Sequence, residues 1–181
     1  MRLFVALALP DDVRARLAAM ANGIPNARWV ALESLHLSLR FIGEVDGAQA
    51  RDADAALARI SAPAFTLTLA GVDRFGTGDK TRSLWVGVED RAELTRLQGK
   101  VERALQSAGL APEGRKFKAH VTLARFKGNP GAKLHDYLAG HALYRSTPFD
   151  VREFVLFSSF LSRTGAIYRP EALYPLRGPR S

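Results

Sequence analysis

The chain has 181 residues, enough for one well-buried domain or two small lobes sharing an interface, but too few for two large independent domains. Its 26 Lys and Arg against 18 Asp and Glu give a formal net charge of +8, which favours nucleic acid, nucleotide or phosphorylated partners. There is no cysteine, which excludes disulfides, thiolate nucleophiles and cysteine-ligated zinc.

The opening stretch MRLFVALALPDD predicts a buried strand that enters a helix. Leu3 to Leu9 form an apolar run, and Pro10 with the two following aspartates supplies helix-start residues for a helix ending near Asn22. A secretory signal is the poorer interpretation, because the run is short and no small-x-small cleavage site follows. No other run approaches transmembrane length, so we expect a cytoplasmic protein that does not enter membranes.

The middle of the chain predicts strands on both sides of one helix. ARWVALESLHLSLRFIGEV, residues 27–45, alternates apolar and polar residues through His36 and predicts strand structure. Residues 47–62 are alanine-rich and predict a helix stopped by Pro63. AFTLTLAGV and RSLWVGVE predict two further strands, separated by the turn-rich DRFGTGDKT.

The second half begins with the clearest helix, from Arg91 to Ala108, whose leucines and valine recur at spacings of three and four. A strand FKAHVTLARF, a short helix around 132–143, a strand FDVREFVLFSSF and a hairpin around 162–165 follow. A last strand or two end near Leu176, and the final RGPRS suggests a loose tail. About four helices and seven to nine strands, mixed in order, predict an α+β fold.

The one internal repetition is a pair of histidine motifs, His36-Leu-Ser38-Leu and His120-Val-Thr122-Leu. In a strand, alternate side chains share a face, so each motif presents an imidazole and a hydroxyl together and anchors its aliphatic residues in a core. Either motif alone fits an ordinary histidine near a strand end. Together they predict two halves of one site, and a two-lobed or duplicated architecture.

Two imidazoles facing one cavity can serve as general acid and general base near neutral pH, and the two hydroxyls can hold the oxygens of a phosphoryl group. Strand parity favours Arg40 and Lys118 as the cations beside this group, with Lys116 in the same phase as Lys118. Arg125 is out of phase with His120 unless the strand bulges.

Other candidate motifs predict no chemistry. His135 and His141 are interpreted as solvated surface residues of the short helix. A metal site at His36 and His120 lacks the carboxylate or third histidine usual in catalytic centres, so we expect neither a metal nor a cofactor. GTGDKT resembles a phosphate-binding loop, but its lysine does not follow the glycine, and an exposed turn is favoured.

The chain resembles the RNA 2′,3′-cyclic phosphodiesterases of the two-histidine (2H) phosphoesterase superfamily, the 2′-5′ RNA ligase family. The resemblance runs over nearly the full length, through MRLFVALALPDDVRARL, RWVALESLHLSLRFIGEV, SLWVGV, FKAHVTLARF and LFSSFLSRTGAIYRPEALYPL. It implies one bilobal domain over residues 1–181, with two mostly antiparallel sheets, outer helices and pseudo-twofold symmetry around a central cleft. Ser38 stands where threonine is commoner in the family, which keeps the hydroxyl.

The resemblance also implies metal-independent opening of a 2′,3′-cyclic phosphate, on an RNA end or a small cyclic nucleotide, to a 2′-phosphate. It makes His36 the general acid and His120 the general base, and it places the phosphate oxygens on Ser38 and Thr122. It assigns Arg125 to the substrate, against strand parity, and we follow the family in expecting a bulge.

Two questions stay open from the sequence. A binding module could hold RNA ends or nucleotides in the same basic cleft without turnover. The reverse reaction, 2′-5′ ligation, would use the same residues. No obligate protein partner is predicted, and a monomer is expected.

Overall fold

The computed structural model describes residues 1–178, which form ten β-strands and four α-helices. The strands are β1 (Arg2–Ala8), β2 (Ala27–Trp29), β3 (His36–Glu44), β4 (Phe65–Leu67), β5 (Leu69–Phe75), β6 (Ser83–Val88), β7 (His120–Phe126), β8 (Phe149–Val151), β9 (Glu153–Ser162) and β10 (Gly165–Pro175). The helices are α1 (Asp11–Ala19), α2 (Gly47–Ala58), α3 (Ala92–Ser107) and α4 (Ala132–Gly140). The predicted α+β class is confirmed.

Two four-stranded antiparallel sheets carry the fold, in the orders β10-β9-β1-β3 and β2-β7-β6-β5, and a small two-stranded sheet pairs β4 with β8. The apolar run of β1 is buried along its centre, and β3 and β9 pair with its two edges, so β1 is a central strand of its sheet. The first sheet therefore joins strands from the two ends of the chain. Each sheet contains one histidine motif, on β3 and on β7.

The helices form where the sequence supplies caps and apolar stripes. Asp46 and Gln49 make a capping box at the start of α2, with Asp46 Oδ1 accepting from the Gln49 backbone N–H at 2.8 Å. The predicted stripe of α3 is confirmed, since Leu94, Leu97, Val101 and Leu105 are all buried. α2 packs against α3, which contacts β3, while Tyr137 of α4 donates to the backbone oxygen of Met20 and lies against Trp29 of β2.

Both motif strands contain a β-bulge at the same place. In β3, Ser38 pairs with Ala6 and Arg40 with Val5, so Leu39 has no partner on β1. In β7, Thr122 pairs with Trp85 and Ala124 with Leu84, so Leu123 has no partner on β6. An extra residue in one strand reverses the facing of every residue after it. The repeated bulge matches the pseudo-symmetry expected of the two halves.

Some predictions about elements need correction. Residues 27–45 are two strands in different sheets, because a 3-10 turn at Leu32–Ser34 separates β2 from β3. α1 and α4 end earlier than expected, at Ala19 and Gly140. Arg177, predicted to begin a loose tail, is held in the fold, since its backbone N–H donates to the oxygen of Ala62 at 2.8 Å; residues 179–181 lie outside the described residues.

Within residues 1–178, no helix combines the length and the apolar character that crossing a bilayer requires.

Candidate active site

One cleft of about 890 Å³ is lined by both histidine motifs, with His36 and Ser38 from β3 and His120 and Thr122 from β7. Its size is near the upper end of the range of about 300–1,000 Å³ that is usual for ligand pockets. The intervening Leu37 and Val121 are fully buried on the other faces of their strands. The expected placement of the four polar side chains in a single cleft is confirmed.

His36 is held by a hydrogen bond and by aromatic contacts. Its Nδ1 lies 2.7 Å from the backbone oxygen of Ser34, which can only accept, so Nδ1 carries the proton. Its Nε2 lies 3.0 Å from Ser38 Oγ. The ring centroids of Phe4 and Tyr168 lie 4.9 and 5.3 Å from the imidazole. These contacts fix the ring with Nε2 beside the motif hydroxyl.

His120 repeats this arrangement in the other sheet. Its Nδ1 lies 2.7 Å from the backbone oxygen of Lys118, again the residue two positions earlier, so Nδ1 donates and Nε2 keeps a lone pair. Phe75 packs edge-on at 5.1 Å and Trp85 lies at 5.9 Å between centroids. Both imidazoles therefore donate from Nδ1 to a backbone oxygen and keep Nε2 as the acid–base position, with Ser38 Oγ bonded to Nε2 of His36.

Burial lowers the pKa of both histidines below the ordinary 6.5, since an imidazolium loses hydration in the cleft. The hydrogen bond of each Nδ1 to its backbone carbonyl acts in the opposite direction. The positive charge of Arg125 lowers the pKa of each ring further, and the charge of His120 lowers that of His36. The two rings and Arg125 thus share one electrostatic environment.

The bulge at Leu123 resolves the position of Arg125. Leu123 and Ala124 are both buried, and the next residue, Arg125, is exposed and lines the cleft with His120. The interruption of alternation is the one that the family resemblance required, and strand parity alone gave the wrong face. In the sequence, this bulge is indicated only by two adjacent apolar residues, Leu123 and Ala124, which interrupt the alternation of the strand.

The bulge at Leu39 has the opposite effect on Arg40, and the prediction that Arg40 faces the phosphate is wrong. Arg40 is only 7% exposed and does not line the cleft. Its Nε donates to Glu102 at 2.5 Å, and its other nitrogens donate to the backbone oxygens of Phe41 and Ala111. Arg40 is a buried structural cation that ties β3 to α3.

Lys118 lies beside the cleft and is not part of its lining. Its Nζ is 5.1 Å from the centroid of the Trp85 ring, a cation–π contact, and the residue lines a separate cavity with Trp85 and Phe117. Its charge still contributes to the lowered pKa of His120. A contact between Lys118 and the substrate stays a prediction.

Several cleft residues were not predicted from the sequence. Three arginines at the rim come from elements far apart in the chain: Arg28 of β2, Arg115 of the loop before β7, and Arg163 of the β9–β10 hairpin. Phe41 and Tyr168 add aromatic surface. Arg28 precedes Trp29 in a stretch that alternates apolar and polar residues, which predicts a strand. The sequence does not show to which sheet that strand belongs.

The remaining histidines lie outside the cleft. His135 is exposed on α4, as predicted. His141 is half-buried, contrary to the prediction, because its ring stacks on Tyr137 with centroids 4.0 Å apart. In the part of the chain that the structure describes, no three His, Asp or Glu side chains are grouped as a metal site would require.

The chain is similar to known proteins over nearly its whole length. Residues 3–160 match the family model described as the 2′-5′ RNA ligase superfamily. An RNA 2′,3′-cyclic phosphodiesterase of Aeropyrum pernix is 36% identical over 93% of this chain and 95% of its own. The RNA 2′,3′-cyclic phosphodiesterase of Archaeoglobus fulgidus is 31% identical over 93% of this chain and 97% of its own.

Solved structures agree with the sequence comparisons. Escherichia coli LigT complexed with 3′-AMP superimposes with a TM-score of 0.81 and 27% identity, over 97% of both chains. TT0787 of Thermus thermophilus gives a TM-score of 0.79 and 27% identity, over 99% of this chain and 100% of the other.

Proposed function

The chain belongs to the 2′-5′ RNA ligase superfamily, and from that membership we propose that its cleft hydrolyses the terminal 2′,3′-cyclic phosphate of RNA to a 2′-phosphate. Similar proteins covering nearly the full chain are named RNA 2′,3′-cyclic phosphodiesterase. The observation that carries the proposal is the matched pair of imidazoles. Each donates from Nδ1 to a backbone oxygen and keeps Nε2 for proton transfer in one cleft.

In the proposed reaction, His120 Nε2 takes a proton from water as the water oxygen bonds to phosphorus. The bond from phosphorus to O3′ breaks, and protonated His36 gives its Nε2 proton to O3′, leaving a 2′-phosphate. Ser38 and Thr122 donate to the non-bridging oxygens, and Arg125 neutralises charge that develops there. Every group in this scheme is a side chain of the chain itself, so we propose that the reaction needs no metal or cofactor.

The charge of the substrate fits the lowered pKa values of the histidines. Without ligand, burial and Arg125 favour the neutral imidazoles, which suits His120 as a base. A bound phosphodiester carries a negative charge close to both rings, which favours protonation of His36. Substrate binding thereby promotes the protonated state that the general acid needs.

The proposal is tested by incubating the protein, with a chelator present, with a short RNA that ends in a 2′,3′-cyclic phosphate. A 2′-phosphate product is expected; a 3′-phosphate would assign the chain to other acid–base chemistry. Binding without conversion would favour the alternative of a non-catalytic module for RNA ends. His36→Ala and His120→Ala should each lower the rate by about 10²–10⁴-fold. His135→Gln, at an exposed position of α4, is the matched control.

Reversal of the same steps would join a cyclic phosphate to a 5′-hydroxyl through a 2′-5′ linkage, and ligation is included in the proposal as the reverse direction of the same reaction. A small cyclic nucleotide should also be a substrate, because all the proposed proton transfers take place at the terminal phosphate. Adding RNA with a 5′-hydroxyl to the assay and searching for longer products tests ligation directly.

We further propose that residues 1–181 act as one bilobal domain, as a monomer in the cytoplasm. Support for one domain comes from the first sheet, in which β1 lies between β3 and β9 and so depends on both ends of the chain. The molar mass measured by light scattering tests the monomeric state, and cell fractionation tests the cytoplasmic location.

A further inference from the structure

Arg28 lies directly opposite Arg125 in the antiparallel pair of β2 and β7. Directly opposed residues of neighbouring strands project from the same face with Cβ atoms about 4.5–5.5 Å apart. Both arginines are exposed, and both line the cleft. Two arginines from neighbouring strands therefore lie side by side in the lining of the cleft.

Neither arginine is neutralised by the protein. Among residues 1–178, no ion pair or side-chain hydrogen bond engages the guanidinium of Arg28 or Arg125, whereas Arg40 and Arg145 each pair with a glutamate. Like charges placed opposite each other in a sheet are destabilising. An anionic ligand lying over the pair would relieve that repulsion.

The two arginines differ in their distance from the histidines. Arg125 lowers the pKa of both His36 and His120, which places its charge at the terminal phosphate of the proposed reaction. Arg28 lies one strand farther, about 4.8 Å, on β2 at the edge of the sheet. A cyclic mononucleotide has a single phosphate, for which Arg125 suffices. An RNA end has a second phosphate, on the 5′ side of its last nucleotide.

We propose that Arg28 binds the phosphate preceding the terminal nucleotide, so that the cleft selects oligonucleotide ends over cyclic mononucleotides. The proposal rests on the proposed function and adds to it a second phosphate subsite. In this proposal the RNA strand leaves the cleft over the β2 edge, and Arg115 and Arg163 add further positive charge to the cleft lining.

The test compares Arg28→Ala with wild type on two substrates, a cyclic mononucleotide and a trinucleotide ending in a 2′,3′-cyclic phosphate. Loss of one phosphate contact should lower kcat/KM on the trinucleotide about tenfold, with less than about a twofold change on the mononucleotide. The mononucleotide rate also verifies that the variant folds. Arg103→Ala, an exposed position on α3 away from the cleft lining, is the matched control.

A binding measurement separates this subsite from the chemistry. For a trinucleotide ending in a 2′-phosphate, the slope of log Kd against log salt concentration should fall by about 0.7 in Arg28→Ala. Equal loss on both substrates, or no loss on either, would overturn the proposal. If wild type hydrolyses neither substrate, the proposed function fails; an unchanged Kd for the 2′-phosphate RNA in Arg28→Ala would then overturn the subsite as well.

Discussion

Phe41 and Arg125 occupy equivalent positions in the two halves of the protein. Each lies two residues after a bulge, and each lines the cleft beside its histidine motif. The two halves of the cleft therefore match in their imidazoles and hydroxyls but differ in the next residue that lines the cleft. This residue is the aromatic Phe41 on β3 and the positively charged Arg125 on β7. The guanidinium of Arg2 lies 5.2 Å from the centroid of the Phe41 ring, a cation–π contact.

Arg125→Ala should lower kcat/KM by about 10²-fold, because a charge-assisted contact to the phosphate is lost. It should also move the pH optimum upward, since the guanidinium lowers the pKa of both histidines. Arg125→Lys, which keeps the charge, should retain the pH optimum better than the rate. An unchanged optimum in Arg125→Ala would argue against Arg125 as a charge acting on the two rings.

The pH profile of kcat/KM should be bell-shaped with its maximum below pH 6.5. The active form has His36 protonated and His120 neutral, and its population peaks midway between the two pKa values, both of which are lowered. Activity then falls at higher pH as His36 loses its proton, and at lower pH as His120 gains one. A maximum above pH 7.5 in the wild type would contradict the roles given to the two rings.

The histidines should also make folding stability depend on pH. Their pKa values in the folded protein lie below the ordinary 6.5. At a pH between the folded-state values and 6.5, the unfolded chain therefore binds more protons than the folded protein. Their contribution is fully present above pH 6.5 and is lost as pH falls through the folded-state values. Urea unfolding of wild type should show this loss, and His36→Gln with His120→Gln should reduce it.

Arg40→Ala should cost about 3 kcal/mol of unfolding free energy, since it leaves Glu102 without its cation and two backbone oxygens without a donor. Burial favours the protonated Glu102, but hydrogen bonds from Arg40, the Glu113 backbone and Gln106 outweigh burial and lower the pKa to about 2. The stabilisation is thus complete above about pH 4.5 and disappears toward pH 2.

Activity measurements separate this structural role from a catalytic one. Arg40→Ala should keep kcat/KM on the cyclic mononucleotide within about threefold at temperatures where it is folded, because the side chain does not line the cleft. Replacing Arg40 and Glu102 together by leucine should recover part of the stability, as both members of the ion pair are then absent. A specific loss of kcat in folded Arg40→Ala would return Arg40 to the reaction.

The sequence was sufficient for local and repetitive features. Helix and strand periodicity predicts the apolar stripe of α3, the buried run of β1 and the position of His36 and Ser38 on one face of a strand. The structure confirms all three. It was insufficient where one residue is added to a strand. A bulge changes the facing of Arg40 and Arg125 without altering composition, and it depends on pairing with β1 and β6, which are distant in sequence.

Pairing between sheets was likewise invisible in the sequence. The alternation in residues 27–45 is real in both β2 and β3, but a three-residue turn sends the two strands into different sheets. Arg28 consequently lies beside Arg125 and not beside His36, its nearer neighbour along the chain. Rim arginines from three separate elements could be brought together only by the tertiary fold.

The position of β1 between β3 and β9 also constrains how the protein is made. During synthesis, the apolar residues of β1 emerge well before β9 and gain their second neighbour only when β9 has left the ribosome. Pairing across nearly the whole chain gives a high contact order, which slows folding. Until then one edge of β1 stays open to other nascent chains, so truncated products ending before β9 should aggregate rather than form a partial enzyme.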